Sequence, residues 1–299
     1  MLKLPLASTL LFTKYLSGFL AGLSVVFIWS GWIVFSRSGL QSQLTAADIT
    51  LLRFVTAALV TLPWAIRYRW KGCSITRVLV VALGCGFPYT LLSFWGISLN
   101  SAANAGVLVN GSLPAITAIL AVFWQKAKLS KALWIVIVAM IISNALLLFG
   151  ARDGWQLHPF GLLLLLSAAV VLSTYMMAIK RWSIKLSDII VWIPLVNAVL
   201  FFPIWLVMPS SLMSAALNDI AFQMIYQGLV VSVCGLLLFS FSVKKLGALN
   251  ASFFMAFVPV VTAFLATAVL SEYPQPLQWL GITLCTVALT WYVFQQVRS

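Results

Sequence analysis

Charged and titratable side chains are scarce in this sequence. Of its 299 residues, 8% are Asp, Glu, Lys or Arg, five are acidic and one is histidine. Soluble domains carry roughly a quarter charged residues, so a soluble fold could not cover this much apolar surface. The sequence also lacks H-E-x-x-H, G-x-S-x-G and a glycine-rich phosphate loop. These absences argue against an enzyme, and we expect no metal and no cofactor.

The four cysteines form no C-x-x-C pair, which argues against a metal site and a disulfide framework. Lys3 and Lys14 precede an apolar run over residues 15–36. The hydrophobic part of a secretory signal is shorter, about 7–15 residues. We therefore expect this first segment to be retained as a membrane span.

Long apolar runs fill the rest of the chain. Residues 78–125 contain no charged side chain, which is enough for two helical crossings at about 20 residues each. The runs do not alternate in polarity, which excludes a membrane β-barrel. We predict an all-α integral membrane protein with ten transmembrane helices, near 15–36, 47–66, 78–97, 101–123, 132–150, 159–179, 188–208, 219–243, 247–270 and 276–296.

Basic residues predict how these helices are oriented. The formal net charge is +13, and all Lys and Arg residues except Arg37, Arg53 and Arg152 fall at the termini or in every second connection. Cytoplasmic loops are enriched in Lys and Arg, so we predict that the N and C termini are both cytoplasmic. The basic side chains are then contacts to membrane lipids, and nucleic acid is not an expected partner.

Two halves of the chain resemble one another. The segment LNSAANAGVLVNGSLPAITAILAVFW (99–124) has a counterpart in LGALNASFFMAFVPVVTAFLATAVL (246–270), with Pro114 and Pro259 separated by 145 residues. Asp48 and Asp188 are separated by 140. We predict a first five-helix repeat at 1–150 and a second at 151–299. Because five is odd, the second repeat is inverted, an arrangement that is common in transporters with a substrate site at the midplane.

Polar, aromatic and proline residues inside the spans are the candidate site. They line either a shared central cavity or ordinary helix–helix contacts and core, and sequence alone leaves both open. The cavity candidates are Trp29, Trp32, Arg53, Phe87, Tyr89, Asn104, Asn110, Tyr175, Asn197, Tyr226, Gln227 and Met255. Four prolines are hinge candidates, of which Pro194 is expected to interrupt the seventh span: Pro88, Pro114, Pro194 and Pro259.

Arg53 is the strongest single candidate. Only 13 residues separate Arg53 from Arg67, about 20 Å of helix, so the second span must include Arg53. It either faces the cavity and binds a carboxylate or phosphate group, or reaches the outer interface, or pairs with Asp48. Asp48 and Asp188 begin matching helices as N-terminal caps, with a role in gating as the alternative.

Several segments resemble the EamA family of the drug/metabolite transporter superfamily. They are FIWSGWIVFSRSGL (27–40), LTAADITLLRF (44–54) and LSEYPQPLQWLGITL (270–284), the last containing Glu272 and Gly281. The resemblance implies that helices one to four and six to nine enclose the cavity, with helices five and ten at its edge. It also implies export of a metabolite or drug more often than uptake.

These patterns predict a multi-pass transporter of the bacterial inner (plasma) membrane that works by alternating access. The expected cargo is a small molecule, with an amino acid or another amphipathic or zwitterionic metabolite favoured. A homodimer is compatible with the sequence. The alternative function is a membrane receptor or an assembly scaffold without transport.

Overall fold

The computed structural model describes residues 6–70, 74–126, 130–150, 158–246 and 254–298, and every regular element in these ranges is helical. Two π-helical segments, π1 (Val107–Gly111) and π2 (Met224–Gly235), join neighbouring α-helices. The α-helices are α1 (Leu6–Gln41), α2 (Ala46–Arg67), α3 (Ile75–Gly84), α4 (Phe87–Ser98), α5 (Ala102–Gly106), α6 (Ser112–Gln125), α7 (Lys131–Phe149), α8 (Pro159–Arg181), α9 (Leu186–Trp205), α10 (Leu217–Gln223), α11 (Leu236–Leu246), α12 (Val258–Leu270) and α13 (Pro276–Arg298).

Seven helical stretches among the described residues are long and apolar enough to cross a membrane. Helices satisfy all their backbone groups internally, which hydrocarbon demands. Two shorter apolar helices are Lys131–Leu147 and Val258–Leu270. The seven stretches are Leu16–Gln41, Ala46–Arg67, Ile75–Ser98, Pro159–Arg181, Leu186–Trp205, Leu217–Leu246 and Pro276–Gln295. The chain is thus a multi-pass membrane protein, while the count of ten spans stays a prediction.

Helices of the first half pack mainly on helices of the second. α1 lies against α11 and α12, α2 against α9 and π2, and α4 against α8. α7 and α13 pack extensively on each other, and their other main neighbours are α6 and α12. The fifth and tenth predicted helices therefore pair at the edge of the bundle, as the family resemblance implies.

The third apolar stretch is broken between α3 and α4, at Cys85 and Gly86. A break leaves backbone groups without helical partners, which is costly in an apolar environment unless another group binds them. A fully buried Asn197 from α9 supplies those bonds. Its Oδ1 accepts from the Phe87 N–H at 2.8 Å, and its Nδ2 donates to the Ala82 carbonyl at 2.8 Å.

Only glycine fits at position 86, because the Asn197 side chain packs directly against its backbone. A Cβ atom built there would lie 2.0 Å from Asn197 Oδ1, a distance that no side chain can tolerate. Asn197 Nδ2 also donates to Ile193 O of its own helix at 2.7 Å. All the described bonds of Asn197 are therefore to main chain, so this cavity candidate joins α9 to the broken third stretch.

Two of the four candidate hinge prolines lie in a first helical turn, because Pro88 and Pro259 are the second residues of α4 and α12. The missing N–H of proline costs little there because first-turn donors have no helical partner. Pro114 is the third residue of α6, but α6 continues directly from π1, so Pro114 lies inside a continuous helical stretch. Likewise, α9 runs through Pro194 without a break, so the expected interruption is wrong. The hinge role of all four stays a prediction.

Replacing Asn197 with Ala should lower the free energy of unfolding by about 2–3 kcal/mol, because buried backbone groups at the break lose their partner. The measurement is unfolding of the purified protein by SDS titration in mixed micelles. Asn144→Ala in α7 is the control, since Asn144 Oδ1 has no partner among the described residues. Equal losses in both variants would contradict the role given to Asn197.

Candidate functional site

Arg53 lies inside the helical bundle. It is seven residues past the start of α2, about 10 Å along the helix axis, and only 7% of it is exposed. Its Nε donates to Ser232 Oγ of π2 at 3.0 Å. Nη1 has no hydrogen-bond partner among the described residues. The guanidinium is thus held by one contact from the second half of the chain and retains a donor for another.

Aromatic rings surround the guanidinium. Arg53 Cζ is 5.7 Å from the Trp32 ring centroid and 5.6 Å from that of Phe54, which are cation–π distances. Tyr89 stacks on Trp32 with 5.8 Å between centroids, and Phe94 packs against the same indole at 6.2 Å. Trp32 is buried, and its Nε1 has no hydrogen-bond partner among the described residues.

Of the alternatives for Arg53, pairing with Asp48 is wrong, because Asp48 has other partners. Its carboxylate is fully buried and accepts from Trp205 Nε1 at 2.9 Å, from the Ser211 N–H at 3.0 Å and from the Thr45 N–H at 3.1 Å. In the described part of the chain, the one ion pair joins Arg37 to Glu272. No described carboxylate therefore neutralises Arg53.

Two further candidates join the Arg53 neighbourhood through π2 and α1. Ser232 Oγ, which accepts from Arg53, itself donates to the Gln227 carbonyl at 2.7 Å. The buried Gln227 side chain donates from Nε2 to Ser36 Oγ at 3.0 Å, while its Oε1 has no partner among the described residues. Tyr226 donates to Ile28 O at 3.1 Å. Arg53, Gln227 and Tyr226 therefore line the contact between α1, α2 and π2.

The remaining candidates lie in other contacts. Asn104 Oδ1 accepts from Gln278 Nε2 of α13 at 3.2 Å, which places Asn104 toward the edge helices. Trp29 packs on Phe239 and Phe87 on Phe201. Tyr175 belongs to the same buried cluster as Trp192, and Met255 packs against the cluster that contains Val26. The side chain of Asn110 lies outside the described residues. The structure thus brings together a subset around Trp32, Arg53 and Tyr89 rather than all twelve.

A partly buried ion pair lies at the end of the bundle where α1 terminates. Arg37 Nε donates to Glu272 Oε1 at 2.8 Å, and Glu272 is 2% exposed. Arg37 Nη1 donates to Ile97 O near the end of α4, and Glu272 Oε2 accepts from the Ala102 N–H at the start of α5. Four separate segments therefore meet at one pair of charges, which we call the Arg37–Glu272 cluster.

The sequence pattern does not predict this cluster. Arg37 falls in the connection between the first two predicted helices, and Glu272 lies within a segment that resembles the family. The available signal was that Glu272 is the one acid between the last two apolar helices. Nothing in the sequence indicates that residues 37 and 272 meet.

Helices α2 and α9 are joined at both ends by related contacts. At the Arg37–Glu272 end, Asp48 in the first turn of α2 binds Trp205, the last residue of α9. At the opposite end, Asp188 in the first turn of α9 accepts from Tyr68 Oη, just past the end of α2, at 2.9 Å. We call these the Asp48 latch and the Asp188 latch. Asp188 is half-buried, whereas Asp48 is fully buried.

A separate apolar groove of about 400 Å³ runs along α13. It contains none of the candidate residues, and several of its side chains are exposed on the outside of the bundle, where lipid tails would fill it. Its lining residues are Phe257, Thr286, Val287, Thr290, Trp291 and Phe294.

Comparisons with known proteins agree with this architecture. The model of the EamA-like transporter family matches residues 16–149 and again residues 159–294. A solved crystal structure of a protein that is 19% identical shares the fold, with a TM-score of 0.64 over 94% of this chain and 97% of the other. None of the curated proteins compared with the chain matches it significantly.

The packed apolar helices and the doubled family match define a multi-pass helical membrane transporter. The chain belongs to the EamA-like transporter family, within the drug/metabolite transporter type.

Glu272→Gln should lower the free energy of unfolding by about 3 kcal/mol, because the partly buried Arg37 guanidinium loses its counter-charge. The double variant Arg37→Gln/Glu272→Gln should lose less than the sum of the single variants, by about 1–3 kcal/mol. SDS titration in mixed micelles measures all three.

The control is Asp219→Asn, since Asp219 has no ion pair in the described part of the chain. Additive losses in the Arg37 and Glu272 variants would show that the two charges do not stabilise one another.

Proposed function

We propose that this chain exports a small metabolite across the bacterial inner membrane by alternating access. Ten spans form two inverted five-helix repeats in this proposal, with both termini in the cytoplasm. The cargo is an amino acid or another amphipathic metabolite. Support for export comes from the family, while support for a central site comes from the residues around Arg53.

The observation that carries the proposal is the incompletely bonded guanidinium between the two halves. α1 and α2 of the first half supply Trp32 and Arg53, and π2 of the second half supplies Ser232. An unpaired buried charge is expensive, and intramembrane charges mark substrate or ion pathways. A guanidinium with a free donor suits an anionic group of the cargo.

The two latches suggest how access alternates. The Asp48 latch and the Arg37–Glu272 cluster hold one end of the bundle closed, and the positive-inside pattern makes this the outer end. The Asp188 latch holds the inner end with fewer buried contacts. Export requires that the outer contacts break while the Asp188 latch persists, and the return step requires the reverse.

The first test is flux into proteoliposomes that contain the purified chain, using radiolabelled amino acids and organic acids. Arg53→Gln should reduce flux at least tenfold, because the cargo loses its charged partner. Arg67→Gln removes the same charge from the exposed end of the same helix and should transport normally. Equal flux in both variants would refute the role of Arg53, and specific binding without flux would favour the receptor alternative.

Asp48→Asn and Asp188→Asn should open opposite ends. Cys85 lies at the break between α3 and α4 and packs against the buried cluster that contains Phe54, the sequence neighbour of Arg53. It can therefore report access to the site once the other three cysteines are replaced by Ser. Asp48→Asn should raise labelling of Cys85 by an impermeant maleimide from outside by several-fold, and Asp188→Asn should raise it from inside. Vesicles of known orientation provide the measurement.

The double variant Asp48→Asn/Asp188→Asn is the internal control, since loosening both ends should raise labelling from both sides. Labelling that rises from the same side in both single variants would contradict the latch assignment.

A further inference from the structure

Two polar atoms near Arg53 that lack a partner among the described residues are both hydrogen-bond donors, and this indicates which ligand the site can bind. Arg53 Nη1 and Trp32 Nε1 are both donors, both buried, and neither has a partner among the described residues. The guanidinium carbon is 5.7 Å from the indole centroid, so the two side chains that carry these donors are direct neighbours. Two neighbouring N–H donors match the two oxygens of a carboxylate.

The charges around the site limit the ligand to one negative charge. Arg53 supplies one positive charge, and the other ionisable groups near it, Cys85 and Tyr89, are ordinarily neutral. A monoanion balances this site, whereas a phosphate dianion leaves one buried negative charge uncompensated.

An ammonium group bound near Arg53 would have no counter-charge among the described residues. The five acids of the chain are Asp48, Asp153, Asp188, Asp219 and Glu272. Asp48, Asp188 and Asp219 lie in first helical turns, Glu272 lies between α12 and α13, and Asp153 falls between α7 and α8 in the sequence. The α-ammonium of an amino acid bound at Arg53 would therefore lie near a like charge, and none of the described carboxylates bonds to Arg53 or pairs with it.

The aromatic side chains near Arg53 indicate the chemistry of the rest of the ligand. Tyr89 and Phe94 pack against Trp32, and the Phe54 ring centroid is 5.6 Å from the guanidinium carbon. These surfaces favour an apolar or aromatic body beside the carboxylate. The two donors are on helices of the first half, and Ser232 from the second half fixes the guanidinium.

We propose that Arg53 and Trp32 form a binding site for the carboxylate of a monoanionic organic acid with an apolar, preferably aromatic, body. The α-ammonium of an amino acid is dispensable and weakens binding. Trp32 contributes its N–H as well as its ring, and Ser232 is a positioning residue. This inference rests on the proposed transport function and narrows its cargo from zwitterions to acids.

The experiment measures binding by isothermal titration of the full chain in detergent with four ligands that share a phenyl body. They are 3-phenylpropanoate, phenylalanine, phenylalaninamide and 2-phenylethylamine. The acid should bind tightest, phenylalanine at least about tenfold more weakly because of like-charge repulsion, and the two cations not detectably. Tighter or equal binding of a cation, or no binding of 3-phenylpropanoate, overturns the proposal.

Matched variants separate the two donors from general stability. Trp32→Phe keeps a ring and removes the N–H, so the acid should bind about tenfold more weakly; Trp64→Phe, on the exposed face of α2, should bind it normally. Arg53→Gln should abolish binding and Arg53→Lys should retain part of it, with Arg67→Gln as control. Where Arg53→Gln fails to fold, Trp32→Phe still decides, and unchanged affinity in it overturns the two-donor site.

Failure of this inference is distinguishable from failure of the transport proposal. Flux of a cation with no binding of acids would leave transport standing and refute the carboxylate site. Tight, Arg53-dependent binding of 3-phenylpropanoate without flux of any acid would leave the site standing and refute transport.

Discussion

Hydrocarbon offers no hydrogen bonds to the main chain, and the bundle depends on this constraint more than on any other. Regular helices satisfy this constraint with their own backbone hydrogen bonds, but the third apolar stretch of each half is irregular. The first is broken at Cys85 and Gly86, and the second contains the twelve-residue π2. In both halves a polar side chain from the opposite half contacts the irregular segment: Asn197 of α9 in one case and Arg53 of α2 in the other.

This exchange explains why α2 and α9 are central to the architecture. The two helices pack on one another, and each also contacts the irregular stretch of the other half. Their contacts differ in completeness, however. Asn197 makes three hydrogen bonds to main chain, whereas Arg53 makes one bond to a hydroxyl and has a donor without a partner among the described residues. Asn197 therefore completes the helical scaffold, whereas Arg53 is the residue for which we propose a ligand.

The extent of the helices was predictable because the bilayer, not the detail of packing, sets it. The second and sixth spans were expected at 47–66 and 159–179, and α2 and α8 occupy Ala46–Arg67 and Pro159–Arg181. Caps were also predictable: Thr45 and Asp48 form a capping box at the start of α2. Such signals are local, and they need only a few neighbouring residues to be visible.

The roles of buried polar residues were not predictable to the same degree. The sequence does not distinguish an Asn that binds main chain from an Asn that binds another side chain. Asn197 binds main chain, whereas Asn104 binds the side chain of Gln278 in an edge helix of the bundle. The effect of a proline was equally hard to predict, because it depends on the position of the proline in the helix, and the sequence does not show where the helix starts. Helix α9 continues through Pro194 without a break. The Arg37–Glu272 contact spans 235 residues, a separation that no local pattern reports.

The repeat is nearly symmetric, and its departures from symmetry give the two ends of the bundle different strengths. Asp48 and Asp188 alone would form equivalent latches, each a first-turn carboxylate bound to an aromatic donor. The Arg37–Glu272 cluster has no such counterpart: 145 residues before Glu272 the chain has Ala127, between Lys126 and Lys128. A ligand shifts a two-state equilibrium only by its differential affinity for the two states. In the proposed transport cycle, cargo that enters from the Asp188 end has to supply the free energy needed to break the additional ion pair. The proposed binding of a carboxylate to Arg53 would supply it.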